Sequence, residues 1–492
     1  MNRSDRLTEI GEALFTRIQV SDRFFTTASI AVYSAIVIFS ALHHEPWRDE
    51  AQSWMLARDY GILFMFDSIS YNGHPVLWHL ILHPFARLGF PYATMFIIHL
   101  CLAIAAVFLF LRYAPFSRLT KLLFIFAYFM SYEYSVIARN YCISILLLFA
   151  IASFYRHRFE RPFVYGLLII LLVNTNVHSL FIGSSLIFIY FLELLVEKKL
   201  DKTKFTALSL MSATVLGLVV LFLKEPDKTY WGANYFRPHN ILTVLNKMLL
   251  PYQGFEREAQ IFIALAIVSL VVLSFLKKPY VLLCFLLSSS ALSYVFIFKK
   301  CQLRHQGLVL ILIIFTLWIS SYYRETDFRL LRRIKSSEMQ RALIVILNFC
   351  LFVSVGIAAR VHYQEYLFAF SGAAEAAEFI RNGNFENDII ATFPSGKPSA
   401  LLPLLPERKF WYMEREEFST FVIVKKGEYQ RGIKPDRIFP ILKEHFPGEN
   451  NLLFLSSRPV AADEEHFELL FTTGVKIFYH PEEKFFLYRV IQ

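Results

Sequence analysis

Charge is scarce in this chain, and that scarcity excludes the ordinary reading of a 492-residue protein as a set of soluble domains. Only 18% of its residues are Asp, Glu, Lys or Arg, against about 25% in soluble globular domains. Its apolar blocks also lack the polar stripe that a helix packed on a soluble core would show. They run for about 17–22 residues, long enough to cross a hydrocarbon layer about 30 Å thick. Pairing patterns for cysteine are missing too. Cys101, Cys142, Cys284, Cys301 and Cys350 lie in or beside apolar blocks with no CxxC, and read as small packing residues. No cysteine follows residue 361, so the tail must fold without disulfides. The N-terminus lacks a small-x-small cleavage site, and residues 1–25 carry Arg3, Arg6, Arg17 and Arg23. This reads as a retained cytoplasmic leader rather than a cleaved signal. No internal repeat and no low-complexity tract is present.

What is present is apolar and patterned. Hydrophobic residues make up 56% of the chain. Candidate spans fall at 26–42, 92–112, 119–137, 141–155, 163–182, 179–196, 205–223, 259–276, 280–298, 307–323 and 342–361, about eleven crossings by apolar length. The fifth and sixth overlap because Asn174, Asn176 and His178 interrupt one apolar stretch, where a tight turn is expected. The net charge of +10 does not point to nucleic acid. Lys and Arg cluster in 112–121, 156–161, 197–204, 277–278 and 324–341, the alternate short connections, as the positive-inside rule requires of cytoplasmic loops. The N-terminus is then cytoplasmic, and 43–91, 224–258 and the tail are extracytoplasmic. The cell (inner or plasma) membrane is the expected location.

The tail, 362–492, has Pro and Gly punctuation and mixed charge. Helical spacing at 373–381 and 436–446, buried-strand runs at 388–393 and 452–455, and a hairpin of 476–480 with 485–490 predict a small α/β domain. The expected architecture is an α-helical polytopic membrane domain over 26–361 followed by an extracytoplasmic α/β domain.

The first external loop is the chemically richest segment. Asp49-Glu50 stands between Trp47 and Trp54 beside Arg48, and Gly73-His74-Pro75-Val76-Leu77-Trp78 follows. Carboxylates at a membrane mouth are costly unless paired or used. An adjacent Asp-Glu suits general-base work, one carboxylate taking a hydroxyl proton while the other binds cation or substrate. The plainer reading is that Asp49 caps a helix running from 50 to 58. His79 and His83, at i,i+4, are spaced to ligate a divalent metal, though no third ligand is apparent.

A first span, a DEAxxW segment, a GHPxLW segment about twenty-five residues later and a second span together resemble the GT-C superfamily of membrane glycosyltransferases. More closely, they resemble the group of protein O-mannosyltransferases and aminoarabinose lipid A transferases (glycosyltransferase family 39-like). That group carries an acidic pair followed by an HPP- or KPP-like motif, and here valine replaces one proline. The segment from Tyr132 to Tyr141, containing Glu133 and Arg139, resembles the group's Arg-aromatic segment. Where the mannosyltransferases have a further acid, this chain has Ile143 and Ser144, and Glu133 is the candidate substitute. The tail resembles the α/β domain that many bacterial relatives append.

The resemblance implies an inverting transfer from a polyprenyl-phosphate-linked sugar to a hydroxyl of a glycan, lipid or protein acceptor. Asp49 would be the base, with Glu50 beside it. His74, Glu133, Arg139, Tyr141, His178, Arg304 and His305 would bind substrate, and cationic groups would face the departing phosphate. No resident cofactor is implied, and a divalent metal is compatible with the histidines. Bland readings stand beside these: interfacial snorkelling for Lys299, Lys300 and Arg304, turn chemistry for 174–178, and an aromatic belt for 230–236. A transporter or flippase for a lipid-linked saccharide would place paired broken helices near the midplane of two related halves, which the sequence does not show. A non-catalytic scaffold would leave the 49–50 and 74–75 pattern unexplained.

Overall fold

A computed structural model describes residues 21–223, 236–252, 256–299, 301–327, 331, 335–383, 385–394, 396–422, 433–460 and 465–492. Most of the expected leader, Lys300 and the aromatic run 230–235 therefore lie outside the described residues. The chain is mostly helical with a small C-terminal sheet. It divides into two units, one of Met1–Phe39, Ile98–Val220 and Asn234–Val361, the other of Ser40–Ile97, Leu221–Ala233 and His362–Gln492.

Among the described residues, eight helices are long and apolar enough to cross a membrane: Asp22–His43, Ala93–Tyr113, Val177–Val196, Lys202–Leu223, Arg257–Phe275, Pro279–Phe298, Leu303–Ser320 and Ser336–Leu367. They leave large apolar side chains bare. Phe262 is 73% exposed, Phe352 66% and Val220 66%, a surface that water does not tolerate in quantity and lipid does. This is a membrane-embedded protein. The other three expected spans are shorter or broken. Pro162–Val173 and Tyr141–Phe154 are helical, but 119–137 is not one helix. Arg118–Phe126 stops at Ala127, and a π-helical turn follows at Phe129–Glu133.

In the first unit Leu303–Ser320 is the inner helix, buried over 83% of its apolar window. It packs against Tyr141–Phe154 and Pro279–Phe298. Prolines open Pro162–Val173 and Pro279–Phe298 at their first turns, where a missing N–H costs nothing. The expected turn at 174–176 separates two helices, and Asn176 caps the second by accepting the Ser179 N–H at 2.9 Å. At the far end of that helix a charged cluster is buried. Arg158 donates to both oxygens of Glu193 at 3.0 and 2.7 Å, and Tyr323 donates to Glu193 at 2.6 Å.

Among the described residues of the second unit six strands form one sheet in the order β3-β2-β1-β4-β6-β5. They are β1 (Ile389–Thr392), β2 (Phe410–Tyr412), β3 (Glu417–Ser419), β4 (Leu452–Ser456), β5 (Phe467–Thr472) and β6 (Phe486–Val490). β2, β1 and β4 run parallel, while β3, β6 and β5 are antiparallel to their neighbours. Alternation sends Ala391, Trp411 and Phe454 to a core that includes Ile438 and Leu442 of the helix Ile438–His445. The expected hairpin is corrected: β6 pairs with β5, and 476–480 makes only a single bridge, Ile477 to Ala369. The first-loop segments 43–91, which the sequence groups with the spans, fold in this unit. Helix Arg48–Asp59 packs on the helical turn Pro398–Leu404, and Gln52 donates to the Val422 carbonyl at 3.2 Å.

Candidate functional site

The residues singled out in the sequence fall into two clusters, one in each unit. In the first unit the chain leaves the Arg118–Phe126 helix through the π-helical turn, the kind of helix irregularity that often marks a functional position. Gly307 of the inner helix lies against this turn. A Cβ there would lie 2.3 Å from Phe129 Cδ1 and 2.6 Å from the Tyr134 hydroxyl, so only glycine lets the inner helix approach so closely. Tyr134 donates to the Arg304 carbonyl at 2.6 Å, and Tyr128 donates to Glu133 at 2.7 Å. The chain then reaches Arg139, half-buried, and Tyr141, fully buried.

Tyr141, His178 and His305 converge from three helices. His305 accepts the Gln302 N–H on Nδ1 at 3.3 Å, which leaves Nε2 to donate to the Tyr141 hydroxyl at 2.9 Å. The rings of His178 and His305 lie 4.5 Å apart, centre to centre. His178 is only 3% exposed, and neither of its ring nitrogens has a hydrogen-bond partner among the described residues. A buried imidazole with both nitrogens unsatisfied is expensive, and a polar ligand would relieve it. His305 and Arg304 sit in the first turn of Leu303–Ser320, where the helix dipole favours an anion. The arrangement suits a phosphate.

The second cluster is built on helix Arg48–Asp59. Its N-cap is Trp47, so Asp49 is not the cap that the plain reading expected. It lies in the first turn, where a negative charge is favoured. Asp49 and Glu50 then part company. The Asp49 side chain is 21% exposed, with Oδ1 3.6 Å from Arg48 Nε. Glu50 is wholly buried and faces His44, whose Nε2 is 3.2 Å from Glu50 Oε2 while its Nδ1 is 2.9 Å from Glu365 Oε1. Burial alone would push the His44 imidazole down, but the charges and hydrogen bonds of Glu50 and Glu365 outweigh it and raise its pKa to about 10. His44 is thus a cation held between two carboxylates.

Around Asp49 the tail supplies residues that sequence reading missed. Glu483 takes the Arg48 N–H on Oε1 at 3.4 Å, and its Oε2 is buried with no partner among the described residues. Burial raises its pKa to about 8. His480 stacks on Trp47 with centroids 4.2 Å apart and an angle of 14°, and its Nδ1 meets Glu482 at 2.9 Å. Burial pushes Glu45 up to about 7. The signals were present, as His44-Glu45 ahead of Asp49 and as the acidic pair after Pro481, but only folding shows that they meet.

His74 is half-buried ahead of helix Leu77–Arg87. Gly73, at φ 72°, ends the preceding short helix and turns the chain into His74-Pro75. His83 Nδ1 lies 2.7 Å from the Ala57 carbonyl, and among the described residues no three His, Cys, Asp or Glu side chains gather as a metal site. No protein-family model and no curated protein matches the chain.

Proposed function

We propose that this chain is an inverting glycosyltransferase of the GT-C type, taking a sugar from a polyprenyl-phosphate-linked donor to an acceptor hydroxyl on the outer face of the membrane. The fold belonging to this reading has about eleven crossings, an inside N-terminus and an outside C-terminal α/β domain. Asp49 removes the acceptor proton, and the freed oxygen attacks the anomeric carbon from the face opposite the phosphate. The bond from that carbon to the phosphate oxygen breaks, its electron pair leaves with the polyprenyl phosphate, and the configuration inverts. Arg139, Arg304 and His305 stabilise the charge that develops on the phosphate. Tyr141, His178, His74 and Glu133 contact substrate.

The observation that carries the reading is the convergence of Tyr141, His178 and His305, far apart in sequence, at a helix N-terminus with His178 unsatisfied. A buried polar site of this kind at a helix N-terminus has a use in a lipid-phosphate enzyme and little in a scaffold. Geometry separates the acidic pair: Asp49 is accessible for proton transfer, whereas Glu50 is spent on His44. In cells that depend on the chain for a glycan, Asp49→Asn abolishes transfer while the protein accumulates normally. Undiminished transfer by that variant refutes the base assignment.

A further inference from the structure

The sheet of the second unit has a topological switch point. From β1 the chain moves to β2 on one side and later returns to β1's other side as β4, all three strands parallel. Connections that leave neighbouring carboxyl ends in opposite directions open a crevice there, the usual ligand position of open α/β sheets. Here that edge carries hydroxyls without partners. Thr392 ends β1, Tyr412 is its register partner in β2, and Ser457 lies two residues beyond Leu455, its register partner in β4. Thr392 and Tyr412 are 0% exposed and Ser457 8%. None of the three hydroxyls has a hydrogen-bond partner among the described residues. Three orphaned hydroxyls at one strand edge are a cost that the fold has no reason to keep.

Cations flank them. Lys397 follows β1 and Arg458 follows β4, near enough that the charge of Arg458, with those of Glu482, Glu483 and Arg48, acts on Lys397. Glu482 is engaged by His480 and Glu483 by Arg48. Lys397 and Arg458 have no ion pair among the described residues.

We propose that this edge binds a phosphorylated saccharide, with Thr392, Tyr412 and Ser457 exchanging hydrogen bonds with its hydroxyls and Lys397 and Arg458 holding its phosphate. The inference deepens the proposed function by giving the acceptor a chemical class. The same edge lies electrostatically within reach of Arg48, next to Asp49.

The test is binding of glucose, mannose and galactose 1-phosphates to the full chain in detergent, with inorganic phosphate and the free hexoses alongside. At least one hexose phosphate binds, at least tenfold more tightly than phosphate or its free hexose. Lys397→Gln and the isosteric pair Thr392→Val with Tyr412→Phe each weaken it tenfold or more. Removing unpartnered hydroxyls leaves the melting temperature unchanged or raised, so lost binding does not report lost folding. Failure of all three hexose phosphates to bind, binding no tighter than phosphate, or indifference to the substitutions overturns the site. Asp49→Asn binds normally under this inference, so loss of transfer without loss of binding separates the two claims.

Discussion

Glu50→Ala and Asp49→Asn are neighbouring substitutions in one helical turn, and the geometry gives them opposite consequences. Glu50 and His44 have fully buried side chains, with His44 bridging to Glu365. Glu50→Ala removes a charge-assisted hydrogen bond of about 1.5–3 kcal/mol and leaves a cavity beside His44, which stays paired with Glu365, for a total of about 3–5 kcal/mol. On a unit of 150–250 residues that is a fall of about 6–20 °C in melting temperature. Glu50→Gln keeps the shape and one hydrogen bond. It trades a charge-assisted bond of about 1.5–3 kcal/mol for a neutral one of about 0.5–1.5, a loss of about 1–2 kcal/mol. Asp49→Asn weakens the partly exposed contact with Arg48 Nε at 3.6 Å, of a kind worth at most about 1 kcal/mol. Trp47, Trp54, Trp78 and Trp411 are buried in the same unit as the triad, against Trp318 in the other. Thermal unfolding followed by tryptophan fluorescence therefore reads the relevant unit. Equal melting temperatures for Glu50→Ala and Asp49→Asn would show that Glu50 is not the buried anchor described here.

Other consequences follow from single contacts. Gly307→Ala drives a methyl into the rigid Phe129 ring and costs about 1–3 kcal/mol, with the Tyr134 and Tyr141 segment displaced; thermal unfolding and lost transfer activity register both. Glu193→Ala strands Arg158 in a buried cluster and costs about 3–5 kcal/mol, whereas Tyr323→Phe removes the hydroxyl that bonds Glu193, Tyr155 and Arg158 but strands no charge, and costs about 1.5–3 kcal/mol; the order, read by thermal unfolding, would be reversed if the ion pair were solvated. Glu483 and Glu45 have raised folded-state pKa values of about 8 and 7, so folding binds protons between the unfolded value near 4.5 and those values, and stability falls as pH rises through that window. Glu483→Gln flattens the upper part of this decline in a pH series of melting temperatures. His44, raised to about 10, contributes stability that is complete below its unfolded pKa near 6.5 and fades as pH climbs through 10.

The membrane helices were legible because length and apolarity alone decide them. The candidate spans at 26–42, 205–223 and 280–298 end within four residues of helices Asp22–His43, Lys202–Leu223 and Pro279–Phe298. Where a span broke, the cause was tertiary. The 119–137 segment has the apolar length of a span despite Lys121 and Glu133, and nothing local announces that Phe129 packs against Gly307, far along the chain, where the π-helical turn Phe129–Glu133 begins. Strand positions in the tail were legible from apolar runs at 388–393 and 452–455. The partner of β6 was not, because the exposed residues of β5 carry no alternation strong enough to compete with a nearer segment. At the candidate site, charge and aromatic residues in a loop drew attention to 49–50. That Asp49 and Glu50 do different work depends on His44 and Glu365, residues that meet only through folding.

The central claim is transfer of a lipid-linked sugar with Asp49 as base, and lipid analysis of cells tests it most directly. Membranes from cells lacking the chain, and from the same cells supplied with the wild-type or Asp49→Asn chain, are compared by mass spectrometry for polyprenyl-phosphate sugars and envelope glycans. The account predicts that one polyprenyl-phosphate sugar accumulates while the same sugar vanishes from one acceptor, that the wild-type chain reverses both, and that Asp49→Asn reverses neither. Unchanged lipid-linked sugars and glycans in cells lacking the chain would contradict it, as would full rescue by Asp49→Asn.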